Sequence, residues 1–327
     1  MTTYSLTHLS PEQCWRLYSH LEEMTLQLAE YADIGGEELE KYFVPLCQED
    51  EWPGELLGVN NEPRRIENAE TIMWQFARSL QNSGRMSRAV GLDVRHGSVH
   101  ECAFKNNRLL DVDYVCDTYG DGSSSDRVKK LASEICAVLG RQSNGYLDRY
   151  AKGLIEAANY LNNGGLNDIN DAIELEVGNG TPAKMNKAAN AIRQKVHGMG
   201  VALSRDFLKE CGCIWMAKPD THLVTVLKQI NNIATEAIVS ENFDPEHKVR
   251  DANRFCEVVY SLAMGARSKA DDQAQRITPY RIDKMIWLIC TGNFYLEDKS
   301  KEHESRGAGV HSHRDILIRY LNKTDAV

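Results

Sequence analysis

The chain has 327 residues, 42% hydrophobic and 26% charged, the balance of an ordinary folded protein rather than of a disordered or fibrous one. Its 47 acidic and 38 basic residues leave a net charge of −9, which excludes a global pull toward nucleic acid or an anionic membrane, so any nucleic-acid site must be a local basic patch. Nine cysteines, an odd number with no C-x-x-C spacing, argue against a disulfide framework and for a cytoplasmic protein.

The opening MTTYSLTHLSPEQ has neither a basic n-region nor an apolar h-region, and no run approaches a membrane span, so no membrane partner is expected. A first amphipathic helix begins with Ser10 as N-cap, Pro11 at the first helical position and Gln13 closing a capping box; Trp15, Leu17, Tyr18, Leu21, Met24 and Leu28 lie along one stripe. A turn-rich stretch follows over 49–65. Helical spacing resumes over 66–86, with Gly84 as a stop. From about 95 to 126 short β-prone runs flank Asn106-Asn107 and end in the loop GDGSSSD, which reads as a small β-hairpin insertion. Helical patterning then returns over 126–140, 145–163, 182–197, 201–211, 221–239, 247–266 and 278–296. The expectation is an all-α, mainly helical architecture with that one β insertion.

Residues 198–200, Gly-Met-Gly, separate two of these helices. Glycine tolerates positive φ and lets another backbone approach closely, and the helix beginning at Val201 presents free N–H groups at its positive dipole end. Such a turn is either plain turn chemistry or a phosphate-binding hairpin, with Lys184, Lys187, Arg193 and Lys195 as the local positive charge. Asp220, after Pro219 and before THLVTVLKQI, is a helix N-cap, a position compatible with a functional carboxylate at the mouth of a cleft.

With Gly198-Met199-Gly200, the helix from Val201 to Cys211 and Pro219-Asp220-Thr221-His222 in this order and spacing, the sequence resembles the helix-hairpin-helix DNA glycosylase superfamily of endonuclease III and the adenine glycosylase. Ser79-Leu80-Gln81 resembles the family's early helix ending in Ser-x-Gln. The resemblance is best over 66–240. It implies a two-lobed fold: an N-terminal helical part over 1–65, a helical barrel over 66–216 with the β insertion and the hairpin at 188–211, and a C-terminal helical part over 217–327 that joins the first. The family's aspartate lies in the cleft between the lobes.

What the resemblance implies for function is a divergent glycosylase acting on double-stranded DNA, its target a damaged or modified base such as an unusual phage base. Asp220 is then the catalytic carboxylate, stabilising the oxocarbenium-like transition state or activating water. Gly198, Met199, Gly200, Lys195, Lys218 and His222 are the DNA-binding candidates, and Gln81 the residue that probes the vacated stack. Each has a plain reading beside it: Gln81 as a polar residue near a helix end, Lys218 as a solvated side chain. Trp74 and Trp215 are candidate base-pocket residues or simply core.

Departures from the family sharpen the expectation. Bifunctional members carry a lysine two residues past the second hairpin glycine, where this chain has Ala202, so base release without strand cutting is expected. Only Cys256 and Cys290 follow Asp220, too few for the family's iron–sulfur cluster, so neither cofactor nor metal is expected. The His303, His311 and His313 tract near Arg306 and Arg314 reads as a loop. Two other functions remain open on the same fold: base hypermodification of DNA, and a non-catalytic DNA-binding or interaction role in which Asp220 is only a cap.

Overall fold

A computed structural model describes residues 9–51, 64–84, 86–92, 98–142, 144–175, 181–230, 242–271, 274–292 and 309–321. Among them the fold is all-α, without a strand. The chain divides into two compact units, one comprising Met1–Pro45, Glu51–Glu62 and Ile214–Val327 and the other Leu46–Asp50 and Pro63–Cys213.

The first unit holds α1 (Pro11–Tyr31), α2 (Gly36–Lys41), α12 (Thr221–Ile230), α13 (Val249–Arg267), α14 (Pro279–Thr291) and α15 (Gly309–Leu321). The capping box at its start is formed: Gln13 N donates to Ser10 Oγ at 3.2 Å and Ser10 N donates to Gln13 Oε1 at 2.8 Å. Cys14, Leu17, Tyr18, Leu21, Met24 and Leu28 make the buried stripe, with Trp15 half-exposed beside it. α1 packs on α13 and α14, and α14 on α15. Bidentate Arg281 on α14 ties this unit together, Nη1 and Nη2 donating to the Glu40 carboxylate at 2.8 and 2.9 Å, with Arg276 on the same carboxylate.

The second unit holds α3 (Ala69–Leu80), α4 (Met86–Val90), α5 (Val99–Asn106), α6 (Val112–Tyr119), α7 (Ser125–Leu139), α8 (Gly145–Tyr160), α9 (Leu166–Ile173), α10 (Thr181–Lys195) and α11 (Val201–Cys211). α8 lies at its middle, against α3, α4, α6, α7 and α10. Phe76 on α3 stacks on Phe207 of α11 with ring centroids 4.0 Å apart, and the Tyr150 hydroxyl donates to the Ala77 carbonyl at 3.0 Å. Fully buried Arg205 pins α11 to α10, donating to Val201 O and to Asn186 Oδ1 at 2.9 Å each.

The β-hairpin expected at about 95–126 is corrected by the described residues from 98 onward. Ser98 caps α5 and Asp111 caps α6, each side chain accepting a backbone N–H three residues on, and Asn107 ends a helix instead of turning a hairpin. Both helices are eight residues long, too short for apolar spacing to separate a period of 2 from one of 3.6. The loop reading of GDGSSSD holds only up to Ser124, where α7 begins at Ser125. The loop reading of the histidine tract ends at Gly309, where α15 starts; His303 and Arg306 lie outside the described residues, as do the side chains of His311 and His313. No helix among the described residues is long and apolar enough to cross a membrane.

Candidate nucleic-acid site

The hairpin belongs to the second unit. α10 ends at Lys195, Met199 N donates back to Val196 O at 3.2 Å, and Gly198 adopts φ +89°, which a side-chain-bearing residue rarely does. The turn is held from two sides. A Cβ on Gly198 would meet Leu80 Cδ2 at 3.2 Å, and one on Gly153 of α8 would stand 2.6 Å from the His197 carbonyl oxygen. His197 N donates to Glu156 Oε2 at 2.6 Å. Met199 is buried, so it anchors the turn; the glycine on either side is what solvent reaches, half-exposed Gly198 and exposed Gly200.

Gly200 is the N-cap of α11, with φ −74° and ψ −179°, no side-chain cap and no atom within 4 Å of where a Cβ would stand. The first N–H groups of α11 are therefore uncovered by any cap residue, an arrangement suited to an anion. Exposed Lys195 lies 5.5 Å from the Tyr160 ring. Two cations missed in the sequence, Arg149 and Lys152 on α8, stand near the turn. Burial lowers the His197 pKa, and Lys152 and then Arg149 lower it further against the opposing pull of Glu156. They are one helical turn apart, a spacing visible in the sequence, but only the packing of α8 brings them to His197.

Asp220 belongs to the first unit. The segment before it is laced down: Tyr280 N donates to Ile214 O at 3.0 Å, and Lys218 N donates to buried Asp283 Oδ2 at 2.5 Å. Asp220 then caps α12, its Oδ1 accepting from His222 N at 2.9 Å and Leu223 N at 3.0 Å. The residue is half-exposed, and the cap occupies one carboxylate oxygen. Burial pushes the Cys290 thiol up to about 11, with Arg314 opposing and Asp220 adding to the rise, so Asp220 at the cap of α12 and Arg314 on α15 share the neighbourhood of Cys290 on α14. Half-buried His222 keeps its Nδ1 without a hydrogen-bond partner.

The remaining candidates fall elsewhere. Gln81 is 4% exposed and its Oε1 accepts from Leu92 N at 2.9 Å, so its carboxamide closes a backbone gap and is not offered to a ligand. Trp74 is core, packed edge-on against Phe104 with its indole N–H unpaired. Trp215 is buried against Tyr260, with the Arg267 guanidinium 4.9 Å above its ring. Both stand as packing residues here. The Lys218 side chain is half-exposed, and the position two past Gly200 is Ala202. Among the described residues no group of three or more histidine, cysteine or acidic side chains could hold a metal ion. No family model, no curated protein and no solved structure matches this chain.

Proposed function

We propose that the protein is a monofunctional DNA glycosylase that extrudes a damaged or modified base and releases it. The observation that carries the reading is the state of Asp220: one carboxylate oxygen is fixed by two backbone N–H groups while the residue stays half-exposed. Breaking a glycosidic bond develops positive charge on the sugar, and a carboxylate immobilised in this way stabilises that charge without having to reorganise. Extrusion of the base costs a few kcal/mol, least for a damaged or mispaired one. The uncapped amides after Gly200, with Lys195, Arg149 and Lys152, serve the phosphate backbone. The matching of the hairpin and aspartate spacing to the glycosylase pattern supports the same assignment. With Ala202 where a Schiff-base lysine would stand, the product is an intact strand with an abasic site.

The test is mass spectrometry of small molecules released from unmodified, damaged and phage-modified duplex DNA by the wild type and by Asp220→Asn. Asparagine caps a helix as well as aspartate does, so the variant should fold and bind while base release falls by about a thousandfold. Undiminished release would remove Asp220 from the chemistry. The cap alone also accounts for Asp220, which favours a non-catalytic DNA-binding role as second reading; duplex binding without release from any substrate would select it.

A further inference from the structure

The segment Leu46–Glu51 is a six-residue 3-10 helix whose first residues are fastened to the end of α11. Leu46 N donates to Glu210 Oε2 at 3.3 Å. Gln48 Nε2 donates to the carbonyls of Cys211 and Arg64, each at 3.0 Å, and Arg64 N donates back to Gln48 Oε1 at 3.1 Å. Between these anchors stands Cys47, and its thiol lies near enough to that of Cys211 to add to the rise that burial imposes on the Cys211 pKa. The two thiols differ in access: Cys47 is half-exposed and Cys211 is fully buried. The proposed glycosylase chemistry uses neither.

We infer that Cys47 and Cys211 form a peroxide-responsive thiol pair, a modification site in which Cys47 meets the oxidant and Cys211 resolves it into a disulfide. A hydroperoxide transfers one oxygen to the Cys47 sulfur, giving a sulfenic acid and releasing water or an alcohol. The Cys211 sulfur then attacks the sulfenic sulfur; the hydroxyl leaves as water with the Cys211 thiol proton, and the disulfide forms. Across both steps the peroxide is reduced by two electrons, and the two thiols supply them.

Three features of the pair support this course. The residues on either side of Cys47 are bonded to Glu210 and to Cys211 itself, and these hydrogen bonds hold the two cysteines side by side for closure. Burial pushes the Cys211 thiol up, keeping it inert toward external oxidant until an electrophilic sulfur forms beside it. Cys213 lies near Cys211 too, but Gly212 alone separates them, and a disulfide across so short a ring is strained.

The experiment treats the full-length protein with hydrogen peroxide and maps peptides without reduction, using the exposed Cys102 as an internal measure of oxidant reach. The expected product has lost two hydrogens and contains a Cys47–Cys211 peptide, reversed by dithiothreitol. Cys211→Ser should stop at the sulfenic acid, trapped on Cys47 by dimedone; Cys47→Ser should leave Cys211 unmodified; Cys213→Ser should crosslink like the wild type. Oxidation of Cys102 with no Cys47–Cys211 peptide in the wild type, or a crosslink that engages Cys213, would overturn the assignment. The wild-type map decides even where a serine variant folds poorly.

Discussion

Gly153 lies inside α8, where alanine ordinarily stabilises a helix by about 1 kcal/mol over glycine. Here the added Cβ would stand 2.6 Å from the His197 carbonyl oxygen and 2.9 and 3.0 Å from the two methyl carbons of Leu80. Leu80 is fully buried, and the carbonyl belongs to a turn already fixed by Gly198 and by the bond from His197 N to Glu156, so neither neighbour can swing aside alone. Overpacking of this kind costs about 1–3 kcal/mol, and a backbone atom as the obstacle puts it at the upper end; after the helix-propensity gain the net loss is about 2 kcal/mol. At roughly 2–4 °C per kcal/mol for a unit of this size, Gly153→Ala should lower the thermal midpoint by about 4–8 °C. Gly145→Ala in the same helix is the control, because nothing lies within 4 Å of its Cβ position. Melting followed by circular dichroism reads both, and fluorescence anisotropy with a duplex oligonucleotide reads whether the displaced hairpin also binds less well. If Gly153→Ala melts no lower than Gly145→Ala, the close approach of α8 to the turn is not what holds the hairpin.

Three further outcomes are expected. Gly200→Ser supplies α11 with a capping hydroxyl and should raise stability by a few tenths of a kcal/mol while weakening duplex affinity, since the hydroxyl competes for the open amides; anisotropy and urea melts read the two signs. Glu40→Gln removes the carboxylate from buried Arg281 and half-buried Arg276, and with Glu22 3.4 Å away as the remaining partner of Arg281 it should cost about 3 kcal/mol in a urea melt, with Arg281→Met added to it recovering part of the loss. Burial lowers the pKa of His20, stacked on Tyr320 with ring centroids 3.5 Å apart, so the neutral ring contributes stability that is complete above the unfolded value of 6.5 and is lost as pH falls below it toward the folded value. Thermal midpoints should therefore fall on acidification through that range, and His20→Gln should flatten the dependence.

How far the sequence speaks for the structure depends on the length and locality of each signal. The bounds of α11, Val201–Cys211, follow from glycine at both ends and an apolar stripe between, and α1 follows from its capping box. α5 and α6 do not, because eight residues hold too few turns for a period to declare itself and because Asn106-Asn107 favours a turn and a helix end alike. Among candidate site residues the local assignments fared differently from the long-range ones. The cap formed by Asp220 is a contact over two and three residues and is legible. The carboxamide of Gln81 is engaged by the Leu92 amide, and the charge around His197 comes from residues of α8 more than forty positions upstream; neither leaves a mark on its own stretch of sequence.

The hairpin and the aspartate share a property that separates each from the core around it. At Gly198 the glycine is required by the fold, through positive φ and the contact with Leu80, and would be explained without any ligand. At Gly200 it is not: the dihedrals suit any residue, no atom crowds the position, and serine or aspartate would cap α11 better. Likewise the structural task of Asp220 is met by one carboxylate oxygen, and asparagine would meet it equally. A glycine where a cap would be better, and a charge where a neutral amide would suffice, are departures from what stability alone selects, and such departures collect where a protein meets its ligand. The hairpin amides and the Asp220 carboxylate are therefore the places where substitution should separate stability from activity.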